Sequence, residues 1–438
     1  MEIVVVGAGL AGCETALQLA KHGFNVRLID MKPEEKTPAH TMNSLAEIVC
    51  SNSLGAEEIT TASGLFKEEL KLFDCFLLNA ALESRVEAGR ALAVDKHIFS
   101  SKVEELLKKY DITFLSGKIE EFPAKGPVIY ATGPLTAEPL ATNMKNFFSD
   151  KDLFFYDAIA PVIEAESIDM TRAFIGGRYQ TDGGDYINCP MTKDEYEIFY
   201  NELIKAGTHP LKEFEKGKFF ESCMPIEEIA SRGPKTPLFG PMRPVGFEHY
   251  IDYVPYAVVQ LRRENKEGTL YNMVGFQTNL KYGEQKRVFS LIPGLTNSKF
   301  VRYGRMHRNM YINSPKKLDR FLGVRGLDRV YLAGQITGVE GYLESIFTGL
   351  YVAFSIIMSN RGYNLENLIL PSDTMCGALI DYVTSYEGKN FQPMNSNFGI
   401  LPKIEEKIKD KKLKKLKQAE AALQSMKNFL TECGWIND

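Results

Sequence analysis

A glycine-rich turn lies near the start of the chain. Gly7-Ala8-Gly9-Leu10-Ala11-Gly12 follows the β-branched run of residues 3–6 without a spacer. An alanine- and leucine-rich stretch occupies residues 14–21, and a second apolar run, residues 26–29, ends in Asp30. Strand, tight turn, helix, strand and acid in that order form a dinucleotide fingerprint. Gly7 permits the sharp turn. Gly9 offers no Cβ to an approaching pyrophosphate. Gly12 lets the helix lie close on the sheet. The helix N-terminus presents free N–H groups and a partial positive charge to phosphates, and Asp30 is suited to a ribose hydroxyl.

Other side chains carry weaker signals one at a time. Cys50, in Val49-Cys50-Ser51-Asn52-Ser53, reads as a thiol at the mouth of a turn. Cys189 and Cys223 each precede a proline closely, in Cys189-Pro190 and Cys223-Met224-Pro225. Taken singly, each of these cysteines reads as a small packed residue. His40 sits in a polar loop. His307 stands among cations in Arg305-Met306-His307-Arg308-Asn309, and nearby like charge disfavours an imidazolium. A neutral ring suits stacking or hydrogen bonding better than acid catalysis. Arg232, Lys235 and Arg243 lie among glycines and prolines, in a loop that is solvated or rests on phosphates. Residues 403–417 hold eight lysines. They read either as a solvated helix packed by one face or as a basic face for RNA phosphates.

Two later strand-to-glycine turns return to the nucleotide site. The run of residues 128–130 ends in Ala131-Thr132-Gly133, a second turn that favours FAD over NAD for the opening fingerprint. The run of residues 330–333 ends in Gly334-Gln335, and the pattern predicts a small-residue helix over 338–353. Periodicity also predicts helices over 64–81, 97–110 and 195–206 and strands over 112–115, 118–122, 256–261 and 270–276. The organisation expected is an α/β chain: a glutathione-reductase-like Rossmann domain over 1–146 and 304–360, an inserted α+β domain over 147–303 and a C-terminal helical extension over 361–438.

Composition sets outer bounds. The 438 residues are 44% hydrophobic and 25% charged with a net charge of −4, so no global charge marks a nucleic-acid binder. A local basic stripe remains compatible with such a partner. No apolar run is expected to span a bilayer, and the first strand follows Met1 with no room for a leader. The seven cysteines show no CxxC pair and no His/Cys cluster at zinc spacing. They are therefore expected as free thiols in the cytoplasm, with no metal site.

Several stretches together resemble the family of folate- and FAD-dependent tRNA (uracil-5-)-methyltransferases. Besides the fingerprint they are Thr37-Pro38-Ala39-His40, Val49-Cys50-Ser51-Asn52-Ser53-Leu54, Leu92-Ala93-Val94-Asp95, Ala131-Thr132-Gly133-Pro134-Leu135 and Asn188-Cys189-Pro190-Met191-Thr192. Cys223-Met224-Pro225, Leu238-Phe239-Gly240-Pro241-Met242, Val274-Gly275-Phe276-Gln277-Thr278, Met306-His307-Arg308-Asn309, Gly334-Gln335, Gly338-Val339-Glu340-Gly341-Tyr342 and Asn390-Phe391-Gln392-Pro393-Met394-Asn395 continue the series across nearly the whole chain. The resemblance implies that FAD is held by Gly7 to Gly12, Asp30, Ala131, Thr132, Gly133, Gly334, Gln335 and Tyr342. It implies 5,10-methylenetetrahydrofolate as carbon source, NADH or NADPH as reductant, and ribothymidine in the tRNA T loop as product, with a ribosomal RNA uridine as the alternative target. It assigns catalysis to Cys50 and Cys223 and contact with folate or substrate to His307 and Asn309. C5 of uracil is a poor nucleophile. A thiolate added at C6 makes C5 able to attack an electrophilic methylene, and a second group must then take the C5 proton. The expected assignment is Cys223 as nucleophile and Cys50 as proton acceptor. Four positions depart from the family pattern: Cys13, Asp30, Gly55-Ala56 and Arg90.

Overall fold

The structure, a computed structural model, describes residues 2–37, 39–124, 126–149, 154–179, 184–210, 224–403 and 408–436. Cys223 lies outside the described residues. Five parallel strands form the first sheet, in the order Val330–Leu332, Val128–Tyr130, Glu2–Val6, Asn25–Asp30, Thr113–Ser116. The central strand is apolar on both faces because helices cover both, as parallel sheets require. Helix Leu10–Lys21 follows the first strand and packs on helix Tyr342–Asn360 almost backbone to backbone. A methyl on Gly349 would stand 2.2 Å from the Ala11 carbonyl oxygen, and the Thr15 hydroxyl donates to the Gly349 carbonyl at 2.9 Å.

Helix Tyr342–Asn360 corrects one expectation. By length and composition alone it is apolar enough to cross a bilayer, yet 89% of its apolar window is buried inside the protein. Its hydrophobicity is that of a core helix wrapped on all sides.

A second sheet is wholly antiparallel, in the order Phe174–Gly176, Tyr186–Met191, Ala257–Arg263, Leu270–Met273, Val162–Glu164, Phe300–Arg302. It has its own core, which includes Tyr196, Phe199, Phe276 and Phe289. Helix Lys193–Lys205 covers it and opens with a capping box between Thr192 and Glu195. Strands Phe154–Ile159 and Arg305–Met310 pair as an antiparallel ribbon, so the chain leaves and rejoins the first sheet along one seam. A small sheet of Ser53–Ala56, Ala91–Val94 and Arg85–Val86 lies beside that seam. Late in the chain, helix Lys411–Glu432 buries Ala419, Ala422, Met426 and Leu430, one stripe at three- and four-residue spacing.

Three predicted elements differ. The helix over 64–81 is two, Ala62–Leu72 and Phe76–Glu83, because Asp74 takes φ +55° and the buried Glu14 carboxylate caps the second by accepting from Phe76 and Leu77 N–H. Residues 118–122 form no strand. Tyr130 donates its hydroxyl to the Glu121 carbonyl and accepts from Ala124 N–H, replacing a ladder with side-chain bonds. The helix expected from 338 begins at Tyr342, since Gly338 and Gly341 sit at φ +84° and +122°.

Candidate active site

The C-terminal ends of the parallel strands open into one cleft of roughly 1170 Å³ including its mouth. Gly7 to Ala11, Asp30, Ala131 to Gly133, Gly334, Gln335 and Tyr342 all line it. Gly12 does not. It backs onto the turn, where a methyl would come within 1.8 Å of the Gly7 carbonyl oxygen. Gly7 is held at φ +102°, with the Ala131 carbonyl oxygen 2.4 Å from where its Cβ would stand. Gly9 is different: its φ is −77° and a Cβ there meets nothing within 4 Å. The protein's own packing places no demand for glycine at Gly9, whose open side faces the cleft. Gly133 is likewise open, at φ +68°. Gly9 is the helix N-cap and no side chain caps the first turn, which leaves its N–H groups for an anion. Asp30 accepts from Ala8 N–H at 2.7 Å and Lys32 N–H at 2.9 Å, fixing its carboxylate at the cleft wall with lone pairs to spare. These features fit a dinucleotide lying along the turn. Gly334 N–H donates to the Thr348 hydroxyl at 2.7 Å, and Gln335 is held by Glu340 at 2.7 Å.

Cys50 follows Val49 of the cleft lining but is not itself part of that lining. Tyr342 accepts the backbone N–H groups of Cys50 and Ser51 on its hydroxyl, at 2.8 and 3.1 Å. The Cys50 thiol lies 3.5 Å from the Ala158 carbonyl oxygen on the ribbon, and Arg302 donates to the Cys50 carbonyl at 3.3 Å. Of the six described cysteines, all free thiols, Cys50 is the one that is not buried. Cys13 donates to the Ala8 carbonyl at 3.3 Å, away from the open side of the turn, and burial pushes its thiol far up. Cys189 lies in a strand of the second sheet and is buried in its core, its thiol pushed up to about 12 by burial. Solvent access separates Cys50 from these inert thiols.

Asn52 explains how the loop is held, and sequence reasoning passed over it. Fully buried, it donates to the carbonyls of Val94 and Arg263 at 3.1 and 2.9 Å and accepts from Arg262 and Asn272 at 3.1 and 3.2 Å. It therefore ties the Cys50 loop to both the small sheet and the inserted one. Close by, the buried Glu264 pairs with Lys96 and lies 3.7 Å from Arg302. Burial lowers the proton affinity of Lys96. Lys32 and Glu47 form a second buried ion pair at 2.7 Å by the cleft, beside His40. Their separations in sequence gave no local pattern.

His307 and Asn309 share a face of the ribbon strand and are both buried. The His307 Nε2 has no hydrogen-bond partner among the described residues. Its pKa falls to about 4, chiefly through burial, then through Arg305 and His40. Like charge, the cause read from sequence, is the lesser one. Among the described residues no group of three or more His, Cys, Asp or Glu side chains is placed to hold a metal ion.

Tyr342→Phe leaves the two N–H groups of Cys50 and Ser51 without their acceptor, a cost of roughly 1–3 kcal/mol each where they are shut off from water. If the cleft holds FAD as the resemblance implies, the variant is expected to keep it and to lose about tenfold or more in turnover, the range that 1.4 kcal/mol of misplacement gives. Flavin content and steady-state rates measured on the same preparation check it.

Residues 2–363 match the family described as glucose inhibited division protein A. The chain is 52% identical over 431 residues to the methylenetetrahydrofolate–tRNA-(uracil-5-)-methyltransferase TrmFO of Fusobacterium nucleatum, covering 98% of this chain and 99% of that protein. It is 49% identical to the protein of the same name from Bacillus cytotoxicus, covering 98% of each. Among solved structures, that of Aquifex aeolicus GidA superposes with a TM-score of 0.70 at 14% identity, over 100% of this chain and 74% of the other. At that identity the likeness speaks for the fold, and it agrees with the α/β arrangement of parallel and antiparallel sheets described above.

Proposed function

This chain belongs to the glucose inhibited division protein A family, and on that premise we infer that it is a folate- and FAD-dependent methyltransferase that forms 5-methyluridine in tRNA. FAD, 5,10-methylenetetrahydrofolate and NADH or NADPH are its cofactors. The observation that carries the reading is the position of Cys50. Its loop hangs from Tyr342 on the nucleotide cleft, while its thiol meets the ribbon that leads into the second sheet. A thiol at that seam can reach a base brought against the flavin end of the cleft.

When bound, the flavin carries the folate-derived one-carbon unit and the electrons from NAD(P)H that turn a methylene into a methyl group. The chain's own residues do the rest. Gly7 to Ala11 and Asp30 hold the pyrophosphate and ribose, and Ala131 to Gly133 with Gly334 and Gln335 bound the remainder of the cofactor. The Cys223 thiolate adds to C6 of the uracil, Cys50 takes the proton from C5 once the new carbon is attached, and the C6–S bond then breaks, its electron pair returning to the Cys223 sulfur as the base leaves. His307, neutral at physiological pH, offers a ring face or a hydrogen bond to the folate or the base, with Asn309 beside it. The target is a T-loop uridine, drawn out of its stack because C5 and C6 are otherwise covered. In this reading residues 1–146 and 304–360 bind FAD, 147–303 complete the substrate side, 361–438 form an extension, and the enzyme works in the cytoplasm.

The test is purified protein supplied with methylenetetrahydrofolate, NADPH and unmodified tRNA, with release of 5-methyluridine followed by nucleoside chromatography. Product on tRNA supports the reading. Product on ribosomal RNA alone moves the target to that RNA, and no product on either, with flavin present, refutes methylation.

A further inference from the structure

The helix Lys411–Glu432 carries charge the wrong way round for its own stability. Its first turns hold Lys411, Lys412, Lys414 and Lys415 and no acid, while Glu432 ends its last turn. A helix macrodipole favours the opposite arrangement. The N-cap Asp410 meets part of the demand by accepting from Lys412 and Leu413 N–H. Lys409, Lys411, Lys412 and Lys415 are exposed. Lys412 pairs with Glu58 at 2.7 Å, and Lys409, Lys411, Lys414 and Lys415 have no ion-pair partner among the described residues. Lys415 leans its ammonium over the Phe398 ring, 5.3 Å from the centroid. The far half of the helix does the packing, through Ala419, Ala422, Met426 and Leu430. The lysine end is therefore free of any part in the core.

The stripe is joined to the reaction centre. Glu58 receives Lys412 from the helix and Arg90, at 3.7 Å, from the turn before strand Ala91–Val94. Glu58 lies just beyond strand Ser53–Ala56, which starts three residues after Cys50. Arg90 is exposed, with 67% of its side chain accessible. Cations thus stand on either side of the Glu58 carboxylate, the lysine turns on one and Arg90 on the other, near the edge of the Cys50 loop, on a chain whose net charge is −4. A localised stripe against a negative background steers and holds a polyanion.

We propose that Lys409, Lys411, Lys412, Lys414, Lys415 and Arg90 form a docking surface for the phosphate backbone of the RNA substrate, outside the cleft in which the base reacts. This rests on the tRNA reading above for the identity of the polyanion. The surface reads no sequence. It contributes affinity and orientation, because phosphate contacts position while base contacts specify.

The experiment compares wild-type holoenzyme with Lys411→Glu/Lys414→Glu/Lys415→Glu and with the milder Lys411→Gln/Lys414→Gln/Lys415→Gln. Lys412 is kept so that the Glu58 pair still seats the helix. Binding of an unmodified tRNA transcript is measured across a KCl series, with Tm, flavin reduction by NADPH, and turnover at saturating tRNA alongside. The Glu variant is expected to bind tRNA at least about tenfold more weakly at low salt, with a salt dependence shallower by about one unit for each phosphate no longer neutralised. Its Tm should hold or rise, since acid now faces the helix N-terminus. Flavin reduction and turnover at saturating tRNA should not change. The Gln variant should fall between, so a misfolded Glu variant does not end the test. Unchanged tRNA affinity and salt slope in a wild type that methylates tRNA overturn the docking surface and leave the function standing. A stripe-dependent salt slope without methylation supports the surface and overturns the function. Stripe-dependent binding to phosphatidylserine vesicles with none to tRNA overturns the proposal in favour of a membrane.

Discussion

Cys50→Ala is expected to cut 5-methyluridine formation by about 10³-fold or more while FAD and tRNA binding persist. Loss of a positioned proton acceptor costs roughly 10²–10⁴ in rate. Cys50 is not among the residues lining the nucleotide cleft, and its thiol faces the Ala158 carbonyl at the seam. Removing one sulfur atom at a half-buried site, at the loss of its 3.5 Å contact with the Ala158 carbonyl oxygen, keeps the fold intact. The variant does more than report a loss. If Cys223 adds to C6 and Cys50 then removes the C5 proton, Cys50→Ala stalls after addition and a protein–RNA adduct accumulates, visible as a slow band in denaturing gels. Cys223→Ala never forms that bond, so it is equally inactive and shows no adduct. An adduct in Cys223→Ala and none in Cys50→Ala exchanges the two roles. Near-wild-type activity in either variant removes that thiol from the chemistry, and with Cys50 it removes the observation on which the functional reading stands.

Much of this site was legible in the sequence because the cofactor half is built from local rules. Gly7, Gly9 and Gly12 lie within six residues, and Ala131-Thr132-Gly133 and Gly334-Gln335 each end a short apolar run. Such turns bring backbone to a ligand by constraints that one stretch of chain satisfies alone. The half around Cys50 is not local. Asn52 meets partners at positions 94, 262, 263 and 272, and Lys96 meets Glu264, so only the closed fold shows that the Cys50 loop is clamped between two sheets. Periodicity also misjudged where helices stop. The spacing of Leu65, Leu70, Phe73 and Leu77 is helical throughout, but a buried carboxylate, Glu14, supplies a cap that splits the run at Asp74. In the other direction, the apolar content of Tyr342–Asn360 reflects burial on every side, something no count of its residues distinguishes from a membrane span.

The opening glycines allow the sharpest separation of what the fold needs from what the cofactor needs. Gly12→Ala drives a methyl to 1.8 Å from the Gly7 carbonyl oxygen and 3.3 Å from the Ala131 methyl. Neither contact ends on a flexible side chain, so the helix must lift from the turn. The expected cost exceeds about 3 kcal/mol, above the usual range for overpacking, and yields insoluble or flavin-free protein. Gly9→Ala meets no protein atom within 4 Å, at a φ of −77° that any residue adopts. Its flavin-free form should therefore melt within a degree or two of the wild type, the small loss at the N-cap being offset by a stiffer unfolded chain. Its cost falls on the ligand. A methyl between the turn and the pyrophosphate weakens FAD by about 10–100-fold, the equivalent of 1–3 kcal/mol of overpacking. Because a ligand bound only to the folded state stabilises it by mass action, the rise in Tm on adding FAD should shrink in the variant by the same free energy. Thermal melts with and without FAD, with fluorescence titration of the flavin, read both quantities. If Gly9→Ala binds FAD as tightly as the wild type, the pyrophosphate does not cross the turn there. If Gly12→Ala folds and holds FAD, the close approach of helix to turn is not what fixes that glycine.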